Sequence, residues 1–273
     1  MSAAVVTGAG RGLGLEIARA MAARGLTVNV TDVDGAAAEA AASELGEAAW
    51  GSALDVRDAE ACRATARAAA ERGGLAVWVN NAGILATGMT WEQDENLRRT
   101  MLEVNALGTF NGTLAALEWM RAAGQGHIIN IISLAGLIAA PGEALYAASK
   151  HAAIAFTLGT LADLRGGGER EIQLSAVCPD GIWTPMLYDK LDDPDAAGSF
   201  SGQLQRPEVV AAKVAGLLDH PRAVLTIPRW RGAFVRLFDL FPGLATRFVG
   251  VVMADARRRQ RGWKRKIERG EGP

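Results

Sequence analysis

An open, parallel, doubly wound α/β sheet is the fold class this sequence predicts, on three observations. Short apolar runs alternate with Ala-rich helical runs from end to end. The apolar runs are continuous rather than alternating, so both faces of each strand are buried, as in a parallel sheet wrapped by helices. At the first strand–helix junction, Thr7-Gly-Ala-Gly-Arg-Gly-Leu-Gly14 supplies the sharp, glycine-rich turn such sheets place at a strand's carboxyl end.

In chain order, residues 3–7 read as the first strand and 12–24 as a helix with Ile17, Ala20 and Met21 on one face. Strands at 26–31 and 50–54 alternate with helices at 36–45 and 59–72. Further strands fall at 75–79, 126–132, 172–178 and 223–227, about seven in all. Long helices at 94–123 and 146–165, and a shorter one at 207–218, separate them. Two stretches break the alternation. Residues 181–206 contain Pro185, Asp192, Asp193, Pro194 and Asp195 and are expected to form a polar, mobile loop. After 228 come Phe234, Leu237, Phe238 and Phe241 at helical spacing, then Phe248, Val249, Val252 and Met253, with Pro242-Gly243 as a break. The organisation is one domain over 1–228 and a helical extension over 229–273. Two amphipathic helices cannot leave such faces in water, so they are expected to border a substrate pocket, with the basic segment 257–266 outside in solvent.

With 273 residues, 49% of them hydrophobic, there is ample material for a single large core. A formal net charge of −1 argues against a general nucleic-acid binder, although basic residues collect near the end of the chain. Cys62 and Cys178 are isolated and read as small packed residues. His127, His151 and His220 share no ligand spacing, so no metal site is expected. The first strand begins within a few residues of Met1, leaving no room for a leader, and no apolar run reaches the ~18 residues of a membrane span. A cytoplasmic protein is the expectation, with membrane contact through the amphipathic, basic tail as the less favoured reading.

The glycines at 8, 10, 12 and 14 let the backbone approach a pyrophosphate at the helix N-terminus, where free N–H groups favour an anion. Gly8, Gly10, Arg11, Gly12, Leu13 and Gly14 are therefore cofactor candidates. Asp32 ends the second strand, where a carboxylate can accept both ribose hydroxyls and repel a 2′-phosphate, favouring NAD over NADP. A turn or helix-cap role for Asp32 is the alternative. Asp55 and Val56 end the third strand and can meet an adenine edge. In Asn80-Asn81-Ala82-Gly83, the amides either lock the sheet to the glycine loop or touch cofactor directly. Asn105 is a poor helix-interior residue and calls for a helix irregularity or a bound water. Tyr146 and Lys150 share a helix face four residues apart, and a nearby ammonium favours a phenolate. Ser133 precedes them by thirteen positions.

This set, in this order and spacing, resembles the short-chain dehydrogenase/reductase family over residues 3–228. The resemblance implies a Rossmann-type sheet and NAD as cofactor. It makes Tyr146 the general acid/base, and has Lys150 lower its pKa and hold the nicotinamide ribose. It also has Ser133 orient the substrate oxygen, and Asn105 kink its helix and hold a relay water. The family's turn after the sixth strand usually reads Pro-Gly and ends in Thr; here it is Pro179-Asp-Gly-Ile-Trp-Thr184, with Asp180 in place of Gly. Pro179, Gly181, Ile182 and Thr184 are the cofactor contacts implied there, and Ser133, Trp183, Met186 and Leu187 the substrate contacts. Homodimers or homotetramers built on the long helices are also implied. The expected activity is hydride transfer between NAD(H) and an apolar secondary alcohol or ketone. A cofactor-binding sensor or scaffold without turnover is the alternative, and the intact Ser133, Tyr146 and Lys150 argue against it.

Overall fold

The computed structural model describes residues 2–269, less the side chains of 244–246. Seven parallel strands form one sheet in the order β3-β2-β1-β4-β5-β6-β7. They are β1 (Ala3–Thr7), β2 (Thr27–Asp32), β3 (Ala49–Ala53), β4 (Leu75–Asn80), β5 (Gly126–Ile131), β6 (Ile172–Pro179) and β7 (Val224–Ile227). The order reverses direction beside β1, so the crevice between the β1 and β4 ends is the topological switch point.

Alternation along β1 shows how the layers form. Ala4 and Val6 pack into the core beneath α1 (Gly12–Ala22), whereas Ala3 and Val5 enter the core on the opposite face. The first core is completed by Ile17 and Met21 of α1, by α2 (Gly35–Leu45), and, once the chain has returned, by Val210 and Val214 of α8 (Pro207–Ala215). The second is covered by α3 (Ala59–Glu71), α5 (Gly108–Ala123) and α6 (Ala144–Gly166), around the fully buried Trp78. Asp34, Asp58 and Asp94 cap α2, α3 and α4 (Glu95–Leu102) by accepting first-turn N–H groups.

The structure revises the sequence reading at three places. The helix expected over 94–123 is interrupted by a π-turn at Glu103–Leu107, centred on Asn105, between α4 and α5. Residues 181–206, expected as a polar loop, carry short helices and an apolar cluster. They contain α7 (Pro185–Tyr188) and a 3₁₀ segment at Pro194–Phe200. Their aspartates point outward or cap, while Leu187, Ala196, Phe200 and Leu204 make a small core of their own.

The third revision concerns the tail, which folds as α9 (Arg229–Asp239) and α10 (Pro242–Glu268), broken at Pro242 as its sequence requires. The basic segment does not stand free. Gln260 Nε2 donates to the carbonyls of Lys190 and Asp193 at 2.9 and 2.7 Å, Trp263 stacks toward Trp183, and Lys264 pairs with Asp192. One face of α10 therefore braces the 181–206 segment, and the remaining arginines face solvent. No helix among the described residues is long and apolar enough to cross a membrane.

Candidate active site

A cavity of about 1020 Å³ opens along the carboxyl edge of the sheet and runs from the glycine turn to the tail helices. Its floor at one end is the β1–α1 turn. Gly8 and Gly12 hold φ values of +60° and +61°, the left-handed region a side chain resists. A Cβ on Gly8 would also lie 2.7 Å from the Ala82 Cα. Unlike the aspartate-capped helices, α1 begins at Arg11 with no side-chain cap and no acid in its first turn. Its first N–H groups therefore remain available for an anion, and the turn fits a dinucleotide pyrophosphate.

The turn is locked from β4. Thr7 Oγ1 accepts from the Asn81 and Ala82 N–H groups, both at 3.0 Å, and Asn81 Nδ2 donates to the carbonyls of Thr7 and Gly8 at 2.9 Å. Asn80 turns the other way, into a buried network with Trp78, Thr113 and Asn130. Asn81 therefore locks the turn and, with Ala82, also lines the cavity, whereas Asn80 does neither. Asp32 lines the cavity at the end of β2, and its Oδ2 accepts from the Gly10 N–H at 3.0 Å. Asp55 also lines it, but its carboxylate is held by Arg57, whose hydrogen bonds lower its pKa against the opposing effect of burial. Arg11, Leu13, Gly14, Val56, Gly83, Pro179, Gly181, Ile182 and Thr184 complete this half. Gly10 shapes the turn without lining the cavity.

Toward the middle, the π-turn draws Asn105 fully inside. Its Oδ1 accepts from the Ile84 N–H at 2.8 Å, and its Nδ2 donates to the Ile84 carbonyl and the Ser149 hydroxyl at 2.9 and 3.0 Å. Asn105 is thus a positioning residue, tying the strand-end loop to α6, and does not itself line the cavity. Ser133, Tyr146 and Lys150 do. Lys150 Nζ donates to the Ile131 carbonyl at 3.1 Å and stands 5.8 Å from the Tyr146 ring centre. Burial lowers the Lys150 pKa to about 8. The Tyr146 ring is part exposed to the cavity, yet enough protein surrounds the phenol that burial raises its pKa; Glu143 raises it further, and a hydrogen bond with Ser133 opposes both.

The far half is apolar, with Ile84, Leu85, Ile138, Met186 and Leu187 facing Phe234 and Phe238 of α9 and Val249 and Met253 of α10. The tail therefore borders the cavity of its own chain. Trp183 does not line it: the indole packs against Tyr188 and Trp263 behind α7, with ring centres 4.4 and 5.8 Å away. Glu143 is the residue the sequence reading missed. It is buried, its Oε1 accepts from the Ser199 N–H and hydroxyl at 3.1 and 2.7 Å, and burial raises its carboxyl to about 7. An acid three residues before Tyr146 in a Pro-Gly-Glu-Ala-Leu run was the available signal.

A phenol, an ammonium and a serine hydroxyl gathered beyond an uncapped glycine turn are the working parts of a nucleotide-dependent oxidoreductase. The family comparison agrees. The short chain dehydrogenase model matches residues 2–195, and the chain belongs to that family of nicotinamide-dependent oxidoreductases. It is 38% identical over 221 residues to an inactive 2-(S)-hydroxypropyl-CoM dehydrogenase 2 from Xanthobacter autotrophicus, covering 77% of this chain and 94% of that one. It is 33% identical over 227 residues to a 3-oxoacyl-(acyl-carrier-protein) reductase from Vibrio cholerae, covering 82% and 92%. Among solved structures, a Burkholderia phymatum short chain dehydrogenase/reductase in complex with NAD superposes with a TM-score of 0.80 at 28% identity, covering 89% and 95%. An actinorhodin polyketide ketoreductase variant with NADPH gives 0.74 at 33% identity, covering 83% and 95%.

Proposed function

We propose that the protein interconverts an apolar secondary alcohol and its ketone with NAD(H). The observation that carries this reading is that one cavity joins the glycine turn and Asp32 at one end to Ser133, Tyr146 and Lys150 in the middle, with an apolar lobe beyond. The uncapped α1 N-terminus would hold the pyrophosphate, Asp32 the adenosine ribose, and Lys150 the nicotinamide ribose. The cofactor, when bound, supplies or receives the hydride. The protein supplies position and a proton. Ser133 orients the substrate oxygen, and the Tyr146 hydroxyl donates a proton to a ketone oxygen or takes one from an alcohol.

The preference for NAD rests on charge. A carboxylate at the end of β2 repels a 2′-phosphate, and Arg11, which lines the same cavity, is the cation that could counter it. Solved relatives carry either NAD or NADPH, so cofactor choice lies in such local groups. Assembly is proposed through the α4–α5 side, where Leu102, Leu107 and Leu114 are exposed along one path.

A panel of secondary alcohols scanned with NAD and with NADP at mildly alkaline pH tests the reading through absorbance of the reduced cofactor. Faster turnover with NAD, rising with alcohol bulk and apolarity, is expected. NAD binding without turnover on any alcohol or ketone would favour a sensor instead.

A further inference from the structure

The tail helices expose an apolar face that the cavity alone does not explain. On α9, Trp230, Phe234 and Leu237 recur at i, i+4 and i+7, which puts them on one side of the helix, and Phe241 follows at the break before α10. That side points outward: Trp230 is 61% exposed, Leu237 58% and Phe241 57%. On α10, Phe248, Val251 and Val252 are exposed as well. An amphipathic helix ordinarily turns this stripe inward; here α9 turns Gly232 and Val235 inward, with Arg231 and Phe238 half-buried beside them.

Charge identifies what covers the face. Residues 229–268 hold eleven basic and three acidic side chains, a local charge of +8 in a chain whose formal net charge is −1. Arg258 and Arg265 follow Val251 at seven-residue steps, so they continue the exposed apolar row of α10 as a cationic one. Neither has a carboxylate within ion-pair distance among the described residues. Two copies meeting through this face would bring two such positive segments together, and an exposed leucine row on α4–α5 offers a separate place for self-association.

We propose that α9 and the first half of α10 dock on an anionic lipid surface, lying in the interface without crossing it. Apolar side chains would enter the headgroup–acyl boundary while the arginines of α10 meet anionic headgroups. Phe234 and Val252 belong both to the exposed face and to the cavity lining, so the cavity mouth opens where the lipid would be. An apolar substrate could then pass from lipid to site without crossing water. Docking itself stands independently of the proposed activity; only this delivery rests on it.

The test is co-sedimentation of the full-length protein with phosphatidylcholine vesicles, with and without phosphatidylglycerol, at low and high salt. Two variants are compared, Leu237→Ser/Leu240→Ser/Val251→Ser and Arg258→Glu/Arg265→Glu, all at exposed positions outside the cavity lining. Binding to the anionic vesicles that falls with salt is expected. Each variant should lower it by at least about tenfold, the first by removing three apolar side chains from the interface and the second by reversing two cations at it. Turnover of a water-soluble alcohol, or unchanged melting if none is turned over, confirms that the variants fold. Absence of vesicle binding, or binding indifferent to both variants, would overturn the proposal. So would a wild-type dimer that the triple-serine variant dissociates, which would assign the face to a second copy.

Discussion

Asp180 and Arg231, 51 residues apart in sequence, meet through a charge-assisted contact of 3.2 Å from Arg231 Nε to Asp180 Oδ2. Asp180 stands where the family's turn usually carries Gly, and Arg231 stands on α9, in the chain's own extension. The carboxylate also accepts from the Gly181 N–H at 3.0 Å, and Arg231 reaches on to Ser201 Oγ at 2.7 Å. Both side chains are largely buried, at 8% and 17% exposure. The departure in the turn is thus one half of a clasp, whose other half is the helix that walls the cavity.

Removing one member of that clasp strands the other in a dry place. Arg231→Met is expected to cost about 3–5 kcal/mol, because burial already raises the Asp180 pKa and Arg231 is its main counterweight. Asp180→Gly/Arg231→Met should recover most of that loss. Chemical denaturation of the two variants gives the comparison; equal destabilisation in both would show that the pair is not the source.

Glu143 sets a pH dependence of stability. Its carboxyl rises from 4.5 to about 7 on folding, so the folded state holds its proton more tightly than the unfolded chain. The stabilisation is complete below 4.5 and is lost as pH rises through about 7. Glu143→Gln keeps an oxygen for Ser199 but cannot ionise. Its melting temperature should gain on the wild type between pH 5 and pH 8, and a constant difference across that range would contradict the assignment.

Cofactor choice is expected to follow Asp32. Asp32→Ser removes the ribose acceptor and the repulsion of a 2′-phosphate, and should lower kcat/KM for NAD while raising it for NADP. Steady-state rates with both cofactors decide this. A wild-type enzyme that already prefers NADP would transfer the choice to Arg11.

Legibility in the sequence followed the range of the interactions. The strands were readable because each is a short apolar run buried on both faces, and the glycine turn because backbone geometry restricts those positions to Gly. Asn105 announced a helix irregularity through its own poor fit, and the π-turn is that irregularity. Residues 181–206 misled because Asp and Pro interrupt the apolar runs in them. Their order comes from Phe200 and Leu187 beneath and from Gln260 and Trp263 of α10, about 70 residues later, and no local pattern reports such distant partners. Trp183 was misplaced for the same reason. The protonation balance at Tyr146 was hidden too, since the burial and Glu143 that raise it are products of the fold.

The central claim is that the Tyr146 phenol moves the proton in an NAD-coupled alcohol oxidation. Tyr146→Phe retains the ring and its packing but loses the exchangeable proton. The direct measurement is turnover of the best alcohol by wild type and variant, alongside NAD binding by titration. A rate lower by roughly 10²–10⁴-fold, with NAD affinity within a few-fold of wild type, is the expected result. Undiminished turnover by Tyr146→Phe would contradict the account.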